Sequence, residues 1–119
     1  MNLLDIFEDS EDLVEYPAGH VVFSEGLEGK VMYVVVRGEV EITLHDKVLA
    51  RAGPGEIVGE MALINSEIRS ATVTTVTDSV LAVIDQSSFE SMLKHVPEFT
   101  MHIMHVLTER LEAAYERIE

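Results

Sequence analysis

The feature that most limits how this sequence can fold is the series of short β-rich runs between Leu13 and Asp85. Turn-forming residues interrupt these runs about every eight to twelve positions, a spacing typical of a β-sandwich or barrel. Residues 39–44 alternate polar and apolar side chains, so Val40, Ile42 and Leu44 share one face. The candidate strands are Leu13–Tyr16, His20–Phe23, Val31–Arg37, Glu39–Leu44, Lys47–Arg51, Ser70–Val76 and Ser79–Ile84.

The apolar period changes from two to about 3.6 after Asp85, which predicts helices in the last part of the chain. Asp85 or Ser87 is suited to cap a first helix. Pro97 interrupts it, and a second helix is expected from about Glu98 to the end. A narrow apolar seam runs along this second helix, and it either packs as core within the monomer or forms a dimer contact. The seam consists of Met104, Leu107, Leu111, Ala114 and Ile118.

The length of 119 residues predicts a single domain, 1–119, with three parts. Residues 1–12 form an N-terminal arm, which we interpret either as a turn or two of helix or as a frayed terminus. Residues 13–85 form the β region, and residues 86–119 form the helical region. The 47% hydrophobic content is that of a compact globular protein.

The charge balance argues against extended DNA or RNA as a partner. Twenty-two acidic residues oppose eight basic ones, for a net charge of −14, whereas nucleic-acid binders need Lys and Arg to displace counterions. The chain has no cysteine, no export signal and no apolar run long enough for a membrane span. We therefore expect no membrane association and a cytoplasmic location.

One segment, from Gly59 to Arg69, does not fit the strand pattern. A short helical turn at Glu60–Ile64 would leave its first amide hydrogens unpaired, and such amides favour an anion. Arg69 would add a planar group that can bind two phosphate oxygens at once. Glu60, nine positions before Arg69, repels an anion and is better suited to accept hydrogen bonds from a sugar hydroxyl. Together these groups indicate a site for a sugar phosphate ester, although a surface turn with an incidental Glu–Arg pair has the same pattern.

The residues Gly-Glu-Met-Ala-Leu-Ile, a four-residue spacer and Arg-Ser-Ala-Thr-Val resemble the phosphate-binding cassette of the cyclic nucleotide-binding domain family. That family includes catabolite activators, regulatory subunits of cAMP-dependent protein kinase and cyclic nucleotide-gated channels. The glycines and the Pro97-containing helical tail extend the resemblance over most of the chain, as in a free-standing bacterial-type member. It implies a mainly β fold: an antiparallel β-roll or jelly roll with a short N-terminal helix, a cassette helix and C-terminal helices.

The resemblance also implies the ligand contacts. The amides of Gly59 and Ala62 would face the ligand, Glu60 would bind the ribose 2′-hydroxyl, and Arg69 and Ser70 would bind the phosphate. The predicted ligand-binding residues are Gly59, Glu60, Met61, Ala62, Arg69, Ser70, Ala71, Ile42, Leu49 and Arg110.

The purine contacts implied by the resemblance are Ile42 and Leu49, which are core residues on any interpretation. Arg110 matches an arginine that catabolite activators carry near the ligand, or it is a solvated helix charge. Ala114 stands where those activators have a polar residue that contacts the adenine amino group, and Val58 replaces a commoner aromatic residue. Ser70 is compatible with either base, so cAMP is expected before cGMP on the family alone.

Two functional hypotheses follow. The first is a sensor without enzymatic activity or cofactor, in which a cyclic nucleotide moves the C-terminal helix and signals to an effector protein. The second is a ligand-independent module that keeps the fold and uses its last helix to form a homodimer or dock to a partner. A metal site at His102 and His105 has the helical spacing of a ligand pair but lacks an evident third ligand. A cupin-type enzyme fails because only His20 and His45 lie in or beside the strands.

Overall fold

The computed structural model describes residues 3–65 and 67–118, which divide into two compact units, one extending to Gln86 and one beginning at Ser87. The elements are α1 Leu3–Phe7, β1 Leu13–Tyr16, β2 Val21–Phe23, β3 Val31–Arg37, β4 Val40–Leu44, β5 Lys47–Ala52, β6 Ile57–Val58, α2 Met61–Ile64, β7 Thr72–Thr75, β8 Ser79–Asp85, α3 Gln86–His95 and α4 Pro97–Ile118. The prediction of a mainly β fold with flanking helices is confirmed.

The first unit contains two four-stranded antiparallel sheets, with strand orders β1-β8-β3-β6 and β2-β7-β4-β5. Their inward-facing apolar side chains form one core, as expected where two sheets pack face to face. The core residues are Tyr33, Val35, Val58 and Leu81 from the first sheet, and Val40, Ala52 and Val73 from the second.

Strand β3 is buried on both faces from Met32 to Val36, which suits its run of β-branched valines. Helix α1 packs against this strand and buries Leu3 almost completely. The prediction of a short helix in the N-terminal arm is therefore confirmed, and the alternative of a frayed terminus is wrong for residues 3–7. Met1 and Asn2 lie outside the described residues.

The β4–β5 hairpin turns at His45 and Asp46, which both adopt positive φ angles of 50° and 66°. Two successive positive φ angles match the twist of a two-residue hairpin, so Leu44 pairs with Lys47 directly across the turn. The pairing then shifts, because Ile42 pairs with Ala50 and Thr43 with Val48. Leu49 is the extra residue of this bulge.

Several predicted boundaries need correction. Strand β7 begins at Thr72 rather than Ser70, because the backbone bends at Ser70 and Ala71 beside the irregular segment before them. Strand β7 ends at Thr75, and β2 begins at Val21. At this boundary the Thr75 amide donates to the His20 carbonyl, and the His20 amide donates to the Thr75 hydroxyl. Strand β6, two residues long between turns, was missed, since so short a run carries no periodic signal.

The second unit contains most of α3 and all of α4. Phe89 and Phe99 meet edge to face with ring centroids 5.9 Å apart, and the Thr100 hydroxyl donates to the Leu93 carbonyl at 3.1 Å. Pro97 is the first residue of α4, a position where its missing amide hydrogen costs nothing. Of the two proposed caps, Asp85 directly precedes α3, whereas Ser87 lies inside it.

The predicted seam of α4 is largely exposed: the exposed fractions are 56% for Met104, 52% for Leu111 and 83% for Ile118. The expectation that it packs as monomer core is therefore wrong for these residues. The buried residues of α4 are instead Phe99 and Ile103. None of the helices in the described ranges combines the length and hydropathy needed to cross a bilayer.

Candidate functional site

The candidate site starts at the turn between β6 and α2. Gly59 has a φ of +80°, in the left-handed region that glycine enters without strain. Its carbonyl accepts from the Ala62 amide at 3.3 Å, and the Glu60 carbonyl accepts from the Leu63 amide at 3.0 Å. These two amides are therefore already engaged within the turn, contrary to the expectation that the first amides of α2 are unpaired. The turn is tight enough for carbonyls three residues earlier to reach them.

A short antiparallel contact places Arg69 behind this turn. The loop at residues 26–29 runs beside residues 67–69, and Glu28 forms an isolated bridge with Ile68. The Gly26 amide donates to the Arg69 carbonyl at 2.9 Å, and the Arg69 amide donates to the Leu27 carbonyl at 2.8 Å. The backbone of Arg69 is thus held by a loop from the start of the β region.

The side chain of Arg69 is buried, with only 5% of the residue exposed. Nη1 donates to the Gly59 carbonyl at 3.2 Å, and Cζ lies 4.0 Å from the centroid of the Phe23 ring. Nε is buried and has no hydrogen-bond partner among the described residues. Burial lowers the pKa of Arg69, although an arginine keeps its charge at physiological pH. A buried guanidinium with an unsatisfied donor is an electrostatic site for an anion.

The remaining predicted cassette residues lie in the same segment of the chain. Glu60 directly follows Gly59 and is only 3% exposed. The Ser70 hydroxyl, on the exposed side of the segment, donates to Sδ of the half-exposed Met61 at 3.5 Å. The two alanines complete the segment: Ala62 is buried in α2 and Ala71 is half-buried before β7.

The predicted base contacts occupy two adjacent strands. Ile42 pairs with Val73 of β7, four residues after Arg69, and is half-buried against the core. Leu49 is the half-buried bulge residue on β5, beside Ile42. The sheet therefore places Ile42 next to β7, the strand that follows the cassette, and Leu49 one strand further away. Arg110 belongs to α4 in the second unit, where its side chain is half-buried.

Two residues of the site were not predicted, Phe23 and Gly29. Phe23 contacts the Arg69 guanidinium and stacks on Tyr33 at 6.0 Å between ring centroids and 18° between planes. A Cβ on Gly29 would lie 2.0 Å from Nε of Arg69. Their positions before the cassette carried no signal of contact with it, because the contact depends on the pairing of residues 26–29 with residues 67–69.

An open cavity of about 570 Å³ lies elsewhere in the first unit and contains none of the predicted site residues. Its residues are Glu15, Tyr16, Pro17, Arg37, Asp78, Ser79 and Val80. Burial, followed by the charge and hydrogen bond of Tyr33, raises the pKa of Tyr16 to about 12. Arg37 is exposed here, in contrast to Arg69, so we place the anion site at the cassette and not at this cavity. Within residues 3–65 and 67–118, no group of three or more His, Asp or Glu side chains could hold a metal ion.

Comparison with known proteins identifies the family. The family model of the cyclic nucleotide-binding domain matches residues 13–96, and the chain belongs to this family. The Pycsar effector protein XpPycTIR of Xanthomonas perforans is 34% identical over 101 residues, 84% of this chain and 33% of that protein. The CRP-like cAMP-activated global transcriptional regulator of Mycobacterium tuberculosis is 29% identical over 103 residues, 82% of this chain and 46% of the regulator.

The crystal structure of Thermus thermophilus catabolite activator protein superposes with a TM-score of 0.81 and 28% sequence identity. The superposition covers 97% of this chain and 55% of that one. The β-roll with flanking helices is therefore the fold of this chain, and its family is one of regulatory ligand-binding domains. The chain spans between a third and a half of the length of the two curated relatives.

Proposed function

We propose that this chain binds a cyclic nucleotide, cAMP in preference to cGMP, in the cassette at residues 59–71 and acts as a sensor domain. The observation that carries the proposal is the buried guanidinium of Arg69, 5% exposed, whose Nε has no hydrogen-bond partner in residues 3–65 and 67–118. A cation kept out of water without full hydrogen bonding is costly unless an anion compensates it. The cyclic phosphate supplies that anion.

The phosphate contacts follow from the shape of the turn. Arg69 would bind two exocyclic oxygens through its planar group, and Ser70 would add its amide and hydroxyl. Gly59, Met61, Ala62 and Ala71 belong to the same segment, and the positive φ of Gly59 favours a residue without a side chain at this position. The Ala62 amide, now held at 3.3 Å by the Gly59 carbonyl, is in a long hydrogen bond that a phosphate oxygen would replace with a charge-assisted one.

Glu60 would bind the ribose 2′-hydroxyl. It is 3% exposed and directly follows the residue whose carbonyl binds Arg69. A carboxylate accepts hydrogen bonds and donates none, so a sugar hydroxyl suits it and a phosphate does not. The juxtaposition of one buried acid and one buried base supports a ligand that has both a hydroxyl and an anionic group.

The base would lie against Ile42 and Leu49, and Arg110 of α4 would approach it in the bound state. Apolar contacts of this kind do not discriminate adenine from guanine, so the preference for cAMP rests on relatives such as the M. tuberculosis regulator, whose name states cAMP activation. We propose that residues 1–119 act as one regulatory domain that signals through α4 to an effector protein. The net charge of −14 supports an assignment without direct nucleic-acid contact by this domain. We also propose that the domain itself is not catalytic and that it acts in the cytoplasm.

Isothermal titration of the chain with cAMP and with cGMP tests the proposal. We expect saturable binding that is tighter for cAMP, and loss of about 1.5–3 kcal/mol, roughly ten- to hundredfold in Kd, in Arg69→Ala. The matched control is Arg51→Ala, because Arg51 pairs with Glu39 and Glu41 on an exposed part of the sheet. If neither nucleotide binds the wild type below about 1 mM, or if Arg51→Ala weakens binding as much as Arg69→Ala, the proposal is wrong.

The second candidate function is a docking module that works without ligand, and the exposed seam of α4 favours it. Met104, Leu111 and Ile118 are each more than half exposed and recur at seven-residue intervals along the helix. Such a seam fits a second copy of the same helix, which would form a homodimer. Sedimentation equilibrium of the wild type and of Leu111→Glu tests this. A dimer that dissociates in Leu111→Glu supports it, and a monomeric wild type at high micromolar concentration excludes it.

A further inference from the structure

The backbone of Gly29 lies directly against the side chain of Arg69. A Cβ added at Gly29 would lie 2.0 Å from Nε, 2.3 Å from Cζ and 2.7 Å from Cδ of Arg69. Real Cβ contacts are never this short, so any side chain at position 29 would displace the guanidinium. Gly29 itself has no φ in the left-handed region, and its backbone conformation is therefore open to other residues. The space that Arg69 occupies, and not the backbone, requires glycine here.

The short ladder described above keeps Gly29 in this place. The Gly29 amide donates to the Glu67 carbonyl at 2.5 Å, and the neighbouring Glu28 bridges to Ile68. The loop cannot move away from Arg69 without breaking these backbone bonds. The steric overlap of a side chain at position 29 with Arg69 would therefore be relieved by movement of the flexible guanidinium and not by movement of the loop.

Phe23 provides a second contact with the same group. Its ring centroid lies 4.0 Å from Cζ of Arg69, within the range of a cation–π interaction. The ring is itself fixed by stacking on Tyr33, which is 9% exposed. A Cβ on Gly59 would meet both Nη1 of Arg69, at 2.7 Å, and Cε2 of Phe23, at 3.2 Å. Phe23, Gly59 and Gly29 thus surround one guanidinium.

We propose that Gly29 and Phe23 are positioning residues that fix the Arg69 guanidinium for the anionic group of the ligand. This inference rests on the proposed function for the identity of the ligand. Neither residue needs to touch the nucleotide, since both act through Arg69. Pre-positioning of the guanidinium reduces the entropy that the long side chain would otherwise lose on binding.

The test is Gly29→Ala, with Gly53→Ala as its matched control. Gly53 also has no left-handed φ, and a Cβ there would meet its nearest atom, Oε1 of Glu56, at an ordinary 3.9 Å. Titration with cAMP and cGMP should show a Kd at least about tenfold weaker in Gly29→Ala and within about twofold of wild type in Gly53→Ala. Phe23→Leu, which keeps an apolar side chain and removes the ring, should also weaken binding.

A spectroscopic signal separates positioning from general destabilisation. In the NMR spectrum of the wild type, the ring current of Phe23 should displace the Nε–H resonance of Arg69. This resonance is assigned by its loss in Arg69→Ala. It should move towards the resonances of exposed arginines in Gly29→Ala and stay unchanged in Gly53→Ala. In thermal unfolding, Gly29→Ala should lower the stability of the protein that retains Arg69. It should have no further effect in the Arg69→Ala background, where the clash is absent.

The outcomes are distinct. Weakened binding, a moved resonance and coupling to Arg69 support the positioning role. The positioning role is overturned if Gly29→Ala binds as well as a wild type that binds. It is also overturned if the Arg69 resonance does not move in Gly29→Ala. A wild type that binds neither nucleotide overturns the proposed function instead, and the resonance and the unfolding cycle then still decide whether Gly29 positions Arg69.

Discussion

Nη1 of Arg69 donates a hydrogen bond to the carbonyl oxygen of Gly59, 3.2 Å away. Gly59 lies ten positions before Arg69 and directly precedes Glu60, so this bond holds Arg69 against the residue next to Glu60. Both charged side chains are buried, and the bond ties the beginning of the cassette to its end. This bond therefore connects the turn at Gly59 with the segment that leads into β7.

The carboxylate of Glu60 gives the first prediction. Glu60→Gln should weaken cAMP binding by about tenfold or more, because a hydrogen bond to a charged acceptor becomes one to a neutral amide. The same substitution should change the binding of 2′-deoxy-cAMP by less than about twofold, since that ligand lacks the hydroxyl. Titration calorimetry with both ligands checks this, with the exposed Glu15→Gln as control. An equal loss for both ligands would show that Glu60 does not bind the 2′-hydroxyl.

Gly38 gives a prediction about stability. Its φ is +90°, and a Cβ there would lie 2.3 Å from Oγ of Ser79 and 2.6 Å from the Asp78 carbonyl oxygen. Gly38→Ala should lower the free energy of unfolding by roughly 3 kcal/mol or more, from both backbone strain and steric overlap. Gly19→Ala is the control, because Gly19 has a similar φ of +78° but open space around it. That control should lose only about 1–2 kcal/mol in urea unfolding. Equal losses at the two positions would contradict the steric argument.

Thr75 ties β7 to the loop before β2. Its buried hydroxyl donates to the Pro17 carbonyl at 2.6 Å and accepts from the His20 amide at 2.9 Å. Thr75→Val should lower the free energy of unfolding by about 1–3 kcal/mol, because it removes the hydrogen bonds of the Thr75 hydroxyl to the His20 amide and the Pro17 carbonyl. Thr74→Val, on the opposite face of the same strand, should stay within about 0.5 kcal/mol of wild type. Chemical denaturation measures both, and a neutral Thr75→Val would exclude this role.

Tyr16 should make the protein sensitive to alkali. Its pKa is raised from 10.0 to about 12, chiefly by burial and then by Tyr33, so the folded state holds the proton more tightly than the unfolded state. The stabilisation is complete below about pH 10 and is lost as the pH rises from about 10 to about 12. Urea unfolding at pH 8 and pH 11 should show a larger loss of stability in wild type than in Tyr16→Phe. Tyr115→Phe, at an exposed position on α4, should behave like wild type. A loss in Tyr16→Phe as large as in wild type would contradict this assignment.

Much of the fold follows from local patterns in the sequence. The alternation in residues 39–44, the turn at His45 and Asp46, and the change of period after Asp85 are local signals, and the corresponding elements lie where these signals predict them. The ends of β2 and β7 were displaced by one or two residues, because hydrogen bonds from distant segments decide where pairing begins and ends. Strand β6 carried no signal of its own, since it is defined only by its pairing with Tyr33 and Val34.

The sequence alone determined the family, because the residues from Gly59 to Arg69 and their spacing resemble its phosphate-binding cassette, and the comparison with known proteins confirms that membership. That Gly59, Glu60 and Arg69 bind a ligand stays a prediction. Only the tertiary structure decided what surrounds Arg69. Phe23 reaches it through the pairing of β2 with β7, and Gly29 through the ladder between residues 26–29 and 67–69. These paired segments are more than thirty positions apart in the chain, and no local pattern encodes their contact with Arg69. Whether the seam on α4 is buried or exposed likewise depends on the tertiary structure. A helical period shows which side chains share a face and does not show whether another surface covers them.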